Sequence, residues 1–156
     1  FLTEHGIGSY EELVDRCDAV AAASIRTRKS LRDTEQQIAD LALLGKQINT
    51  YRKLKPVYDR YKTSTDKEKF LRGFESEIIL FEAAAREIQK AGLAKLPSAE
   101  KLKAELDGLS VRKTALQAEL RKIQQEEKEY DALRRNVGTL LGQFLRHKKV
   151  IEPELL

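Results

Sequence analysis

Three observations predict an all-α fold: a long antiparallel helical hairpin, coiled-coil-like, with a smaller inserted helical pair at its tip. The first is composition. The 156 residues are 35% charged and 41% hydrophobic, with only 8 Gly and 3 Pro to break helices. A β-sandwich or barrel needs more turns than that supplies, and abundant Ala, Leu, Glu, Lys and Arg favour helix. The second is periodicity: two stretches keep apolar residues at alternating steps of four and three, the seam of a coiled coil. The third is a turn-rich segment between those stretches, which suits a hairpin better than an uninterrupted rod.

The elements follow in order. Ser9 and Glu12 have the spacing of a capping box, which satisfies free amides of a first helical turn. From there the seam runs through Leu13, Cys17, Val20, Ser24, Thr27, Leu31, Thr34, Ile38, Leu41, Gly45 and Ile48, with seven of eleven positions apolar if Cys17 is counted. Its weak middle lies at Ser24 and Thr27. This predicts a long helix over about 10–44, with Gly45 as a possible interruption and Pro56 as a kink or stop for any continuation. Tyr51, Leu54, Val57, Tyr58 and Tyr61 form a helical stripe over about 46–62. Thr65 and Glu68 repeat the capping-box spacing and open a helix over about 66–91, with Phe70, Phe74, Ile78, Phe81, Ala85 and Ile88 on its buried face. Gly92 is a C-terminal stop, 92–97 a linker, and Ser98 the N-cap of a helix over about 98–144. The seam of that last helix has Leu102, Leu106, Leu109, Lys113, Leu116, Leu120, Ile123, Glu127, Tyr130, Arg134, Val137, Leu141 and Phe144, ten of thirteen apolar or aromatic. A helix that long spans roughly 70 Å and needs a partner of similar length. The first helix is the internal candidate, giving a single elongated domain over 1–156; an intermolecular coiled coil would satisfy the same seams. Lys113 and Glu127 either fix register or face solvent.

The missing methionine leads us to expect a piece of a longer protein. The opening residues lack the basic, apolar and small-residue order of a signal peptide. With no apolar run near ~18 residues, no membrane insertion is expected. One cysteine, Cys17, excludes an internal disulfide framework and fits a reducing cytoplasm.

Catalysis finds little support in the residues. His5 and His147 lie near opposite ends, with no metal-ligand spacing around them. Cys17 sits on the apolar seam with no nearby histidine and reads as a small core residue. His5-Gly6-Ile7-Gly8 lacks the flanks of a phosphate loop and reads as the entry turn to Ser9. No cofactor, metal or catalytic residue is therefore expected in this chain.

Charge is more informative once it is divided. The whole chain carries +4. Between positions 46 and 72 lie nine basic residues, Lys46, Arg52, Lys53, Lys55, Arg60, Lys62, Lys67, Lys69 and Arg72, against three acidic ones, Asp59, Asp66 and Glu68. That segment is +6, which leaves −2 for the other 129 residues. Clustered cations can neutralise phosphates and release counterions, and the interleaved tyrosines can reach a backbone or stack on a base. Equally, the tyrosines could be core and the charges a solvated face. Smaller basic clusters, Arg26, Arg28, Lys29 and Arg32 and then Arg146, His147, Lys148 and Lys149, read as solvent-facing.

The run Thr50-Tyr51-Arg52-Lys53-Leu54-Lys55-Pro56-Val57-Tyr58-Asp59-Arg60-Tyr61, then Asp66-Lys67-Glu68-Lys69-Phe70 and Glu75-Ser76-Glu77-Ile78-Ile79-Leu80-Phe81-Glu82-Ala83-Ala84, resembles the helical region downstream of the nicking domain in relaxase/mobilisation proteins of bacterial conjugative transposons. The similarity covers roughly residues 5–137. It implies a cytoplasmic protein that handles the origin of transfer of a mobile element. Such relaxases nick DNA with a tyrosine, helped by a metal in a histidine cluster. This sequence has neither the cluster nor a tyrosine in the nicking motif, so no catalytic residue carries over. The implied duties are DNA contact through the basic tip, homodimerisation, or docking to relaxosome or coupling proteins. A helical arm that grips RNA is a further reading, which the recognised run disfavours.

Overall fold

The computed structural model describes residues 8–155, with side chains described as far as Arg146. The described chain is all-α: α1 (Tyr10–Thr63), α2 (Lys67–Lys90) and α3 (Ala99–Leu155). No described helix is long and apolar enough to cross a membrane.

Helix ends obey local chemistry. At the start of α1 the Glu12 amide donates to Ser9 Oγ at 3.1 Å, while Glu12 Oε2 accepts from the Gly8 amide at 2.8 Å. This is the expected box, with its return bond displaced by one residue. Helix α2 is capped by Asp66, whose Oδ1 accepts from the Lys69 amide at 3.1 Å. The expected cap at Thr65 is thus one residue early, and a carboxylate, a good N-cap acceptor beside the helix dipole, takes the role. Gly92 ends α2 with φ of +66°, a conformation that favours glycine. Ser98 Oγ accepts from the Lys101 amide at 3.1 Å and opens α3.

Two expected boundaries are absent: α3 runs on to Leu155 instead of ending near 144, and the break expected in the mid-forties does not occur. The predicted helices 10–44 and 46–62 are a single helix that passes through both Gly45 and Pro56. Pro56 removes the amide that the Arg52 carbonyl would accept. The turns beyond it are held by packing: the Tyr58 ring stacks on Phe81 with centroids 4.3 Å apart, and Tyr61 lies 6.2 Å from Phe70. Pro56 itself is exposed, so its ring meets solvent rather than a neighbouring helix. The inserted pair is real as packing, but its first member is the end of α1. Within α2 the backbone kinks at Phe74, just after Gly73.

The described residues fall into two compact units. One contains those up to Arg32 and from Thr114 onward; the other is Asp33–Lys113. In the first, Leu13 and Leu133 form the buried core, with Cys17, Tyr130 and Val137 against it. Leu133 is 4% exposed, whereas the expected seam residue Arg134 is exposed. A one-residue shift at that point moves an arginine off the seam and a leucine onto it. In the second unit, Ile48, Ile78, Phe81, Ala84 and Leu102 are buried by three helices. Here Lys113 lies 3.8 Å from Glu35, and Leu102 meets α1 at Gly45. In both units α1 and α3 pair in antiparallel sense.

The seam of α1 is followed closely. Every predicted position from Leu13 to Ile48 is buried or half-buried, including the hydroxyl positions Ser24, Thr27 and Thr34. No fully buried side-chain oxygen or nitrogen among the described residues lacks a hydrogen-bond partner. The apparent weakness at Ser24 and Thr27 is therefore not a break in packing; small hydroxyls are compatible with a seam when they are satisfied.

Candidate nucleic-acid interface

All nine basic residues singled out between positions 46 and 72 are exposed, but they do three different things. Lys46, Lys53 and Arg60 recur every seven residues along α1, so they share one face with successive Cα atoms ~10 Å apart. None of the three has an ion-pair partner among the described residues.

A second set is engaged. The Arg52 guanidinium donates to the Pro97 carbonyl at 2.7 Å, tying α1 to the loop that leads into α3. Lys55 Nζ sits 3.8 Å from Asp59 and 5.9 Å from the centre of the Tyr51 ring. Lys62 Nζ lies 5.5 Å from the centre of the Tyr58 ring. Both ammonium groups therefore lie over a tyrosine ring in cation–π range.

The third set, Lys67, Lys69 and Arg72, starts α2. Lys67 and Lys69 occupy its first turn, where the positive end of the helix dipole disfavours cations. Asp66 and Glu68 offset that locally. All three sets reach the short α1–α2 turn, where the last turn of α1 carries Arg60 and Lys62.

The tyrosines are mostly occupied by one another's neighbours. Tyr51 and Tyr58 both stack on Phe81, at 4.7 and 4.3 Å, and Phe70 stacks on Phe74 at 4.8 Å. These rings line the contact between α1 and α2, with Phe81 buried and the others half-buried rather than presented as free platforms. Beside them is a cleft of about 380 Å³ lined by Tyr51, Lys55, Tyr58, Lys62, Glu82 and Arg86 among others. Arg86 was not singled out from sequence. Its signal was available: it follows the Phe81–Ala85 apolar step on α2 and so flanks the face that packs on α1.

The other sequence candidates separate clearly. Arg26, Arg28, Lys29 and Arg32 are exposed on α1, as is Arg146 on α3. His5 and the side chains of His147, Lys148 and Lys149 lie outside the described residues. Cys17 is half-buried on its seam, and its Sγ lies 3.9 Å from the Tyr130 carbonyl. Burial pushes its thiol above the usual value; Arg134 opposes this, and Asp131 and Asp18 reinforce it. That environment suppresses the thiolate and suits a packing residue. No group of three or more His, Cys, Asp and Glu among the described residues is arranged to hold a metal ion.

No protein family, curated protein or solved structure matches this chain.

Proposed function

We propose that this chain is the non-catalytic helical region of a DNA relaxase of conjugative mobilisation, and that it contacts origin-of-transfer DNA in the cytoplasm through the Lys46–Arg72 segment. The observation that carries this reading is the exposed, unpaired Lys46–Lys53–Arg60 stripe within a segment of charge +6. Cations held at fixed intervals on a helix can follow a phosphate backbone without reading bases. Placing Lys67 and Lys69 against the helix dipole supports it further, because local stability gains nothing from that choice. The resemblance of the Tyr51 and Phe81 runs supplies the biological setting. With the tyrosine rings packed on Phe81, the contact proposed is electrostatic, and base stacking plays no part in it.

Binding to origin-of-transfer DNA, followed by fluorescence anisotropy across a salt series, tests this. Reversing Lys46, Lys53 and Arg60 together to Glu should reduce the log–log salt slope by about 2–3, as expected for roughly three lost phosphate contacts. Reversal at Arg52 is a poorer probe, since it also breaks the Pro97 tie. Absence of binding at low salt overturns the proposal.

A protein-docking role is the second reading. It is favoured by the exposed apolar face of α3 formed by Leu140, Leu141, Phe144 and Leu145.

A further inference from the structure

The two-helix unit, up to Arg32 and from Thr114 onward, carries its charges unequally on its two sides. Its register is set by Leu13, which packs on Leu133, and by Cys17, whose Sγ lies 3.9 Å from the Tyr130 carbonyl. Followed along that antiparallel pairing, residues 19–32 of α1 run beside residues 115–128 of α3. The seam residues Ser24, Thr27 and Leu31 on α1, and Leu116, Leu120 and Ile123 on α3, fix which way the rest of each helix faces. Arg28 and Arg32 flank the α1 seam on one side, and Arg26 lies toward the other. On α3, Gln117, Arg121, Gln124 and Lys128 take one flank, and Glu119, Lys122 and Glu126 the other. Reversing one helix against its neighbour brings like flanks together. Between these limits the first side therefore has Arg28, Arg32, Arg121 and Lys128 and no Asp or Glu, whereas the second has Arg26 and Lys122 against Glu119 and Glu126.

All four cations of the first side are exposed, and none has an ion-pair partner among the described residues. Asp18 and Asp131 stand just beyond its far end. From Lys128 to Arg32 the row spans about 20 Å along the helices. Like charges on one surface repel, so stability gains nothing from gathering them there. A protein partner would need an apolar centre to its contact, and Ile25, 69% exposed, is the single large apolar residue exposed on this side. A membrane surface would need a whole row of such residues. A sugar–phosphate backbone needs only cations and hydrogen-bond donors. Three of the four cations are guanidinium groups, which grip phosphate oxygens in pairs, and Gln117 and Gln124 add amide donors beside them.

We propose that Arg28, Arg32, Arg121 and Lys128 form a second phosphate-binding surface, on the two-helix unit, that takes the backbone of a nucleic acid. It shares no residue with the Lys46–Arg72 segment, so each contact stands or falls alone. A row of ~20 Å matches about six base pairs of duplex at 3.4 Å each. With no aromatic ring on this side, the contact holds the backbone and reads no bases. The weak middle of the α1 seam acquires a purpose here. Ser24 and Thr27 are buried, at 4 and 7% exposed, and side chains that small let α1 and α3 approach closely. Arginines from two helices then belong to one surface.

Fluorescence anisotropy of the full chain on a fluorescein-labelled duplex of arbitrary sequence, across a salt series, reads the outcome. Two double variants change the net charge equally and take one exposed residue from each helix: Arg28→Glu with Arg121→Glu on the first side, and Arg26→Glu with Lys122→Glu on the second. Circular dichroism checks that both remain helical. The first pair should lower the log–log salt slope by about 2, the loss of two phosphate contacts, and the second should leave it near that of wild type. Repeating both pairs in a chain with Lys46, Lys53 and Arg60 reversed to Glu separates this surface from the other contact. Salt-dependent binding that persists there and is lost with Arg28→Glu and Arg121→Glu supports the two-helix surface even if the Lys46–Arg60 stripe contributes nothing. Binding abolished by the stripe reversal alone overturns the surface while leaving the stripe intact. Equal losses from both pairs overturn it too, since they would report net charge and not a side. Vesicles of phosphatidylserine and phosphatidylcholine form the last arm: if the first pair weakens vesicle binding and leaves DNA binding unchanged, the partner is a membrane surface and the nucleic-acid assignment fails.

Discussion

The same two helices, α1 and α3, are stabilised differently in the two units. In the unit containing Leu13 and Leu133 they meet only each other. A two-helix contact has one seam and two open sides: Leu13, Ile123 and Leu133 are its buried apolar residues, with Cys17, Tyr130 and Val137 packed against the Leu13–Leu133 pair. In the Asp33–Lys113 unit, α2 adds a third wall, and Ile48, Ile78, Phe81, Ala84 and Leu102 become buried together. The difference lies in layering more than in seam quality. Apolar periodicity is as regular in α3 as a coiled coil requires, and a third helix widens the single buried stripe into a broader core. That core is also what carries α1 past a proline.

The largest expected effect comes from removing the residue that makes the third wall. Phe81→Ala deletes the ring on which both Tyr51 and Tyr58 stack and should cost about 3–5 kcal/mol. In the other unit, Leu133→Ala should cost less, about 2–3 kcal/mol, because the cavity it leaves opens toward solvent and relaxes. Hydrogen exchange separates the two. Phe81→Ala should lose amide protection within Asp33–Lys113, whereas Leu133→Ala should lose it before Arg32 and after Thr114. Equal losses throughout for both variants would show that the units unfold as one, and the comparison would fail.

How much of this was legible in the sequence depends on the kind of signal. Caps are local, so Ser9, Ser98 and Gly92 could be read directly, and only the choice between Thr65 and Asp66 was missed. The seam of α1 was legible to the residue because a heptad pattern needs no knowledge of the partner. Arg134 was misplaced because periodicity alone cannot register a one-residue shift; an adjacent leucine, Leu133, was the available correction. The passage of α1 through Pro56 could not be read, since its cause is tertiary: Phe81 and Phe70, distant in sequence, hold Tyr58 and Tyr61. For the candidate interface, charge location was legible and charge partnership was not. Nothing local indicates that Arg52 donates to Pro97 while Lys53, beside it, is left to solvent.

If aromatic packing carries α1 past Pro56, then restoring the missing amide should simply add stability. Pro56→Ala should raise it by about 1–2 kcal/mol, the helix-interior penalty of proline less the entropy that proline removes from the unfolded chain. Thermal unfolding measures this. A loss would mean that Pro56 sets a bend on which the Tyr58–Phe81 stack depends, and the third wall would then be the consequence of the proline.

The smallest effect sharpens the comparison most, because it applies one substitution to the polar seam position of each unit. Lys113 is half-buried and lies 3.8 Å from Glu35, with both side chains about two-fifths exposed. Glu127 is equally half-buried but has no ion-pair partner among the described residues. An ion pair this exposed contributes only ~0.2–1 kcal/mol and weakens with salt. Leucine at either position gains partial apolar burial, worth under ~1 kcal/mol at that exposure. Lys113→Leu should therefore change stability by nearly nothing, since the lost pair offsets the buried methyls, and should become stabilising in high salt, where the pair is screened. Glu127→Leu has no pair to lose and should stabilise by about 0.5–1 kcal/mol at any salt concentration. Chemical denaturation at low and high salt distinguishes the two. A salt-dependent response at Glu127 would reveal a cationic neighbour and remove the contrast between the two seams.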